Sequence, residues 1–99
     1  MSVSLIFTEK AEEDLDNAYH WYEEQEPGLG KEFFRCIDTK IANLNRHPLY
    51  HPVVQNEKVR RSLVNKFPFS IYFINEEELI TIFAILHQKR SPEFWKSRL

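Results

Sequence analysis

The residues most suited to chemistry lie in the last third of the chain, where a histidine and several cations follow apolar runs. His87 closes the most apolar run, Leu79 to Leu86, and is followed by Lys89 and Arg90. A histidine near cations tends to remain neutral, and a neutral imidazole can accept a proton from a ribose hydroxyl. His87 is therefore a candidate general base, while a strand-end histidine bonded to a backbone carbonyl fits the same pattern.

A second group of candidates consists of cations in the same half of the chain. Arg60 and Arg61 are adjacent, so in a strand their side chains point to opposite faces. Edge cations that discourage aggregation have this pattern too, but several cations on adjacent strands favour a contact patch. Trp95 either caps the core or offers a stacking platform beside the patch. The candidate target-binding residues are Arg60, Arg61, Lys89, Arg90, Trp95 and Arg98.

The charges divide unevenly along the chain. Residues 1–49 hold five Lys/Arg against ten Asp/Glu, and residues 50–99 hold eight against five. The formal net charge of −2 therefore conceals an acidic half and a basic half. Such a distribution steers charged partners to one side of a molecule. The acidic residues Glu9 to Asp16 are interpreted as a solvated helix face that complements the helix dipole.

Length and composition limit the class of protein. Ninety-nine residues, 42% of them hydrophobic, predict one domain over residues 1–99. Cys36 is the single cysteine, which indicates a reducing cytoplasm, and no signal peptide or membrane span is recognised. The four histidines are dispersed without thiolate or carboxylate companions, so neither a metal nor a cofactor is predicted. Phosphate-cradling glycine loops and serine-nucleophile elbows are also missing from the sequence.

The first half of the chain predicts a strand followed by a helical hairpin. Val3 to Phe7 has strand composition, and Thr8 is a suitable N-cap for a helix over residues 9–25. Pro27-Gly28 ends this helix, and apolar residues at helical spacing continue from Leu29 to about residue 46. Two helices joined by so short a turn form an antiparallel pair.

The second half predicts strands. A loop runs from residue 47 to about 57, and strands are expected at residues 59–65, 69–75 and 79–87. Ser91 and Pro92 suit the cap and first position of a short final helix. The predicted fold class is α+β: an N-terminal strand, a helical hairpin packed on one face of a small, mainly antiparallel sheet, and a C-terminal helix.

Several segments together resemble one protein family, the RelE/ParE toxins of bacterial type II toxin-antitoxin modules. The resemblance covers almost the whole chain in the same order. The segments that carry it are Ala18-Tyr19-His20-Trp21-Tyr22, Pro27-Gly28-Leu29-Gly30 with Phe33 and Ile37, Pro52-Val53-Val54, Arg60-Arg61, Phe67-Pro68-Phe69, Ile71-Tyr72 and His87-x-x-Arg90-x-Pro92-x-x-Trp95. The resemblance implies a cytoplasmic toxin whose cognate antitoxin wraps around it and forms a hetero-oligomer with it.

The resemblance leaves two activities open. RelE-like members cleave mRNA on the ribosome, which would make His87, Arg61 and Arg90 catalytic. ParE-like members poison DNA gyrase without established nuclease chemistry of their own. Phe94 and Trp95 stand where a C-terminal tyrosine is expected of a nuclease, and the Trp-Tyr-Glu-Glu and Pro-Gly-Leu-Gly segments look ParE-like. Gyrase poisoning is therefore favoured, with ribosome-dependent cleavage and a non-toxic, antitoxin-binding remnant as alternatives.

The cations at the basic end are expected to matter for toxicity by either route. Arg61, Arg90 and Arg98 are the first three to test, and their substitution should cost little stability if their side chains are exposed. An arginine directly after a buried strand can instead hold the final helix in place, so Arg90 carries the greater structural risk.

Overall fold

The computed structural model describes residues 4–46, 52–55 and 58–99. Within these residues the predicted order of elements is confirmed, with one additional strand in the segment expected to be a loop. Residue 3 of the predicted first strand, and residues 47–51 and 56–57 of the predicted loop, lie outside the described residues. The elements are β1 Ser4–Phe7, α1 Glu9–Gln25, α2 Leu29–Arg46, β2 Val53–Gln55, β3 Val59–Leu63, β4 Phe69–Glu76, β5 Leu79–His87 and α3 Pro92–Lys96.

The strands form one sheet in the order β1-β5-β4-β3-β2. β1 runs parallel to β5, and the other neighbouring pairs are antiparallel, which confirms the mainly antiparallel prediction. The sequence analysis did not predict β2, because this strand has only three residues and directly follows Pro52. β3 ends at Leu63 instead of residue 65, and β4 continues to Glu76.

The helical hairpin is held by local bonds that the sequence makes available. Thr8 Oγ1 accepts a hydrogen bond from Ala11 N–H at 3.2 Å, as expected of an N-cap. The connection to α2 turns at Gly28, whose φ of +91° favours glycine. Glu23 crosses this turn, because its two carboxylate oxygens accept the N–H groups of Gly28 and Gly30, each at 2.9 Å. The turn is therefore anchored to the helix that precedes it.

One face of the sheet packs against α1 and α2, and we call it the hairpin face. Ala11 and Ala18 are the buried residues of α1 and bring this helix close to the strands. The core on this face also contains Phe33, Ile37 and Leu44 from α2, and Ile71, Phe73, Ile80, Ile82 and Ile85 from the sheet. This packing confirms the prediction of a helical hairpin on one face of the sheet.

The opposite face, which we call the terminal face, carries α3. Ser91 caps this helix by accepting the N–H of Glu93, and Pro92 is its first residue, as predicted. Trp95 is the buried residue of α3. The cluster on this face consists of Val59, Tyr72, Phe83, Ala84, Leu86 and Trp95.

A β-bulge in β5 changes the direction of the strand at the point where β1 ends. Tyr72 pairs with Ala84 and Phe73 with Ile82, which leaves Phe83 as the extra residue. Phe83 and Ala84 consequently both pack on the terminal face.

Candidate functional site

The end of the chain is fixed to α1 by an ion pair between Arg98 and Asp14. The guanidinium donates to both carboxylate oxygens, at 2.6 and 3.0 Å, and the two side chains are only 15% and 11% exposed. Arg98 also donates to the carbonyl of Phe83 at 3.1 Å, while Asp14 accepts the N–H of Ile85 at 3.0 Å. Arg98 is therefore not the exposed cation that the sequence analysis considered, because its guanidinium is bound within the fold.

Trp95 caps the core on the terminal face, which is one of the two roles expected from the sequence. Its ring stacks on Tyr72 with centroids 5.0 Å apart and an interplanar angle of 23°, and the residue is 5% exposed. The edge of Phe83 completes the contact at 6.4 Å. While α3 is docked, this indole is not available as a platform for bases.

Phe94, next to Trp95, has a different environment. It is 40% exposed, and the guanidinium of Arg90 lies 4.2 Å from its ring centroid. The guanidinium of Arg98 lies 5.3 Å from the same centroid. These cation–π contacts connect the turn after β5 with α3 and leave Arg90 exposed to solvent.

The turn that follows β5 determines which ring nitrogen of His87 carries the proton in the neutral imidazole. Lys89 N–H donates to His87 Nδ1 at 3.0 Å. In the neutral imidazole the proton therefore resides on Nε2, which is a donor in that tautomer. The unprotonated nitrogen that a general base needs is then Nδ1, and the Lys89 N–H already occupies it, so this turn opposes the base role considered for His87. The ring also makes an edge contact with Phe69, its partner across the ladder, at 5.5 Å.

The adjacent arginines of β3 point to opposite faces of the sheet, as predicted. Arg60 pairs with Phe73 of the hairpin face, and Arg61 pairs with Tyr72 of the terminal face. Both side chains are partly buried. Arg61 Nε is buried and has no hydrogen-bond partner among the described residues. This N–H therefore donates to no described acceptor, and it is not exposed to solvent in this conformation.

The structure brings together some, but not all, of the predicted catalytic set. His87 and Arg90 line one pocket with Asp14 of α1. Arg61 lies on β3, with β4 between it and β5, and its side chain is on the face opposite to His87. Arg61 and His87 therefore do not converge on one reacting phosphate in this conformation.

An apolar groove runs along the outer side of the hairpin. Two adjoining cavities of about 290 and 300 Å³ share Glu12, Leu15 and Phe34 as lining residues. Phe34 is 47% exposed although it is a large aromatic residue. The other residues that line the groove are Phe7, Asp16, Tyr19, Ile37, Asp38 and Ile41. Its walls are apolar and its rim is acidic, so we refer to it as the hairpin groove.

Asp14 is the important residue that sequence reasoning assigned to the wrong environment. It was interpreted as part of a solvated acidic face, but it is partly buried against β5 and bound to Arg98. A signal was present, because Asp14 follows buried Ala11 by three positions and precedes buried Ala18 by four. A carboxylate at such a position on the packed side of a helix requires a partner.

The described residues contain neither a cluster suited to a metal ion nor a helix suited to a membrane. No group of three or more His, Cys, Asp or Glu is placed to hold a metal ion in residues 4–46, 52–55 and 58–99. None of the helices in the described part of the chain is long and apolar enough to cross a membrane.

The fold and the C-terminal ion pair define a small α+β protein in which a helical hairpin and a terminal helix cover opposite faces of a five-stranded sheet. A family described as "ParE toxin of type II toxin-antitoxin system, parDE" matches residues 5–92, so the chain belongs to this family. It is similar to a solved structure titled "Chromosomal ParDE TA system from P. aeruginosa", with a TM-score of 0.75 and 25% identity over 86% of this chain and 95% of that chain. Comparison with curated proteins finds no match.

Proposed function

We propose that this toxin stops growth by poisoning DNA gyrase through a protein contact. Membership of the ParE family supports this target, because gyrase poisoning is the activity that a ParE-like resemblance implies. The observation that carries the choice is the hydrogen bond from Lys89 N–H to His87 Nδ1, which leaves the neutral imidazole with a protonated Nε2. Ribosome-dependent mRNA cleavage would then lack its proposed base.

The location of the arginines supports the same choice. RNA cleavage needs a base and a cation at one phosphate, and Arg61 and His87 lie on opposite faces of the sheet. A protein-binding surface has no such requirement, since its cations can contact separate acidic groups. We assign Arg60, Arg61, Lys89 and Arg90 to the gyrase contact. Trp95 and Arg98 act as positioning residues, because they hold α3 on the sheet.

The antitoxin is the second proposed partner, and the hairpin groove is its proposed receptor. Amphipathic helices bind in apolar grooves of this kind, and Phe34 and Leu15 would receive the apolar side chains. The rim contains Glu12, Asp16 and Asp38, so the bound segment should carry cations beside its apolar residues. In a module of this kind the antitoxin is expected to be the product of the neighbouring gene. The parent toxin and this product should co-purify with micromolar or tighter affinity. Failure to co-purify would contradict this partnership.

The experiment that tests the target is induction of the toxin in cells with separate measurements of DNA breaks and of mRNA integrity. Gyrase poisoning predicts DNA-damage signalling and filamentation while bulk mRNA stays intact. Early cleavage of ribosome-bound mRNA with unbroken DNA would establish the endonuclease alternative. Normal growth after induction of a folded protein would establish the non-toxic remnant.

A further inference from the structure

β1 forms one edge of the sheet, and within the described chain its outer side has no neighbouring strand. In the strand order β1-β5-β4-β3-β2, only β5 lies beside it. The N–H groups of Ser4 and Thr8 both donate to carbonyls of β5. Successive residues of a strand direct their backbone groups to alternate sides. The N–H and carbonyl groups of Leu5 and Phe7 therefore point away from β5.

These outward groups have no partner in the part of the chain that the structure describes. β1 pairs with β5 alone, and neither Leu5 nor Phe7 has a backbone hydrogen bond on the outer side among the described residues. Each residue contributes one donor and one acceptor. We call these four groups the β1 edge.

The sequence of β1 lacks the features that usually protect an edge strand. Ser4–Phe7 contains neither a charged residue nor a proline, and its register with β5 is regular. Charges, prolines and bulges are the common means of keeping a strand edge unpaired. The opposite edge strand, β2, directly follows Pro52 and pairs with β3 in an irregular register. The β1 edge is thus the edge that is better suited to pair with a further strand.

Apolar side chains flank the β1 edge on both faces of the sheet. Leu5 and Phe7 are partly buried and pack against the core of the hairpin face. Ile6 lies between them in the strand, so it points to the terminal face, where it is 49% exposed. Its neighbour on β5 is Thr81, and neither residue belongs to the cluster that contains Trp95. A partner strand would therefore cover apolar surface as well as bond the backbone.

We infer that the β1 edge binds the same edge of a second copy of the toxin, in antiparallel orientation. A two-fold axis at Ile6, perpendicular to the sheet, places Leu5 of each copy opposite Phe7 of the other. Each of these two pairs exchanges two N–H···O=C bonds, so all four outward groups of each copy are used. Ser4 lies opposite Thr8, and no charged residue faces a like charge in the paired segment. The inferred dimer does not depend on the proposed gyrase target.

The side chains complement one another in this register. Opposite residues of an antiparallel pair lie on the same face, so Ile6 meets Ile6 of the second copy on the terminal face. On the hairpin face, Leu5 of each copy meets Phe7 of the other. A register that pairs Leu5 or Phe7 with itself would keep only half of the backbone bonds within β1. The axis at Ile6 is therefore the one that satisfies the whole edge.

The area of contact indicates a weak dimer. Two strands of four residues bury less than the roughly 1,200 Å² that marks the lower end of stable interfaces. We therefore expect a Kd between about 1 µM and 1 mM. Such a dimer forms in concentrated solutions of the toxin and dissociates on dilution.

Analytical ultracentrifugation of the full-length toxin, free of its antitoxin, tests the dimer. The apparent mass should rise from one chain toward two as the concentration passes the Kd. Ile6→Lys should abolish this rise, because it places two lysines opposite each other. Leu63→Lys is a matched control and should dimerise like the parent, since Leu63 is 52% exposed on the terminal face of β3. A parent that stays monomeric up to about 1 mM, or folded Ile6→Lys that dimerises like the parent, would overturn the inference.

A charge-pairing experiment tests the position of the axis. Because Ile6 faces itself, Ile6→Lys and Ile6→Glu should each be monomeric alone, while their equimolar mixture should form a heterodimer. Thermal melting of each variant verifies its folding. A mixture of the two folded variants that remains monomeric, at concentrations where the parent dimerises, would contradict the inferred register.

Hydrogen exchange of the parent toxin tests the backbone contact without any substitution. The amides of Leu5 and Phe7 should exchange about fivefold or more slowly in a solution that is mostly dimer than in a dilute one. The amide of Thr8 is an internal control, because it is already bonded to Ile82. Unchanged exchange at Leu5 and Phe7 while the mass doubles would place the interface elsewhere and overturn the inference. Protection that appears only when the antitoxin is added would show that the antitoxin covers this edge, which also overturns it.

Discussion

Arg98 and Asp14 are 84 positions apart in the chain and form a two-bond ion pair that joins the C-terminus to the middle of α1. Each partner also bonds the backbone of β5 on either side of Ala84. The ion pair thus bonds backbone groups of β5 at a point where β1 has ended and no longer pairs with them. It connects the helical hairpin, the sheet and the last residues of the chain in one network.

We expect Arg98→Ala to destabilise the toxin by about 2 to 4 kcal/mol, since it leaves the Asp14 carboxylate without its compensating charge. The measurement is the free energy of unfolding from denaturant titration. Lys96→Ala is a matched control, because Lys96 is an exposed cation of α3. In a double-mutant cycle, Asp14→Ala and Arg98→Ala should not be additive. Equal stability of Arg98→Ala and Lys96→Ala would show that the ion pair contributes nothing.

The turn between α1 and α2 should make the stability of the fold depend on pH. Backbone N–H groups, first that of Gly28, lower the pKa of Glu23 below its ordinary value of 4.5. A carboxyl whose pKa is lower in the folded state stabilises the fold above its unfolded pKa, and this contribution is lost as the pH falls through the folded pKa. Melting temperatures of the parent and of Glu23→Gln should therefore differ at pH 7 and converge as the pH falls through the lowered pKa of Glu23. A difference that is constant with pH would contradict the role of the charged carboxylate.

Gly30 and Gly28 should respond differently to alanine although they are two residues apart. A Cβ at Gly30 would lie 2.7 Å from the carbonyl oxygen of Tyr19, so α1 and α2 would have to move apart. At Gly28 a Cβ meets nothing within 4 Å, and the strain comes only from its positive φ. We expect Gly30→Ala to cost about 1 to 3 kcal/mol and Gly28→Ala about 1 kcal/mol. Denaturant titration of both variants measures this order, and a larger loss for Gly28→Ala would reverse the assignment.

The sequence predicted the parts of the fold that depend on local patterns. The cap at Thr8, the break at Pro27-Gly28 and the start of α3 at Ser91-Pro92 each follow from the residue types at those positions. The bulge at Phe83 was not predicted, because strand composition alone does not specify an extra residue. β5 was recognised, but the placement of both Phe83 and Ala84 on the terminal face was not.

The candidate site was predictable only in part, for a related physical reason. Sequence spacing correctly placed Arg60 and Arg61 on opposite faces, since alternation is a property of one strand. The environment of Arg98 depends on Asp14, which approaches only after the hairpin has packed on the sheet. Trp95 likewise acquires its role from Tyr72 on another element. Contacts between distant residues decide which cations stay available to a partner.

Arg61, Arg90 and Arg98 should affect toxicity in different ways, because only some of them are available to contact a target. Arg90→Ala should cost at most about 1 kcal/mol of stability, because its side chain is exposed and its main described contact is the cation–π contact with Phe94. It should nevertheless inhibit growth less, since a guanidinium contact to the target is lost, and Arg90→Lys should restore only part of the inhibition. Arg61→Ala should also inhibit growth less, and it loses no hydrogen bond of Nε within the described residues, although its side chain is partly buried.

Arg98→Ala is the comparison that separates contact from positioning. It should reduce growth inhibition together with the melting temperature, because the ion pair with Asp14 is broken and α3 loses its attachment. Growth inhibition in cells without the antitoxin, paired with melting of each purified variant, distinguishes these behaviours. Full inhibition by folded Arg61→Ala and Arg90→Ala would show that these cations only interact with solvent. A parental melting temperature for Arg98→Ala with lost inhibition would instead make Arg98 itself a contact residue, which requires α3 to leave the sheet when the toxin meets its target.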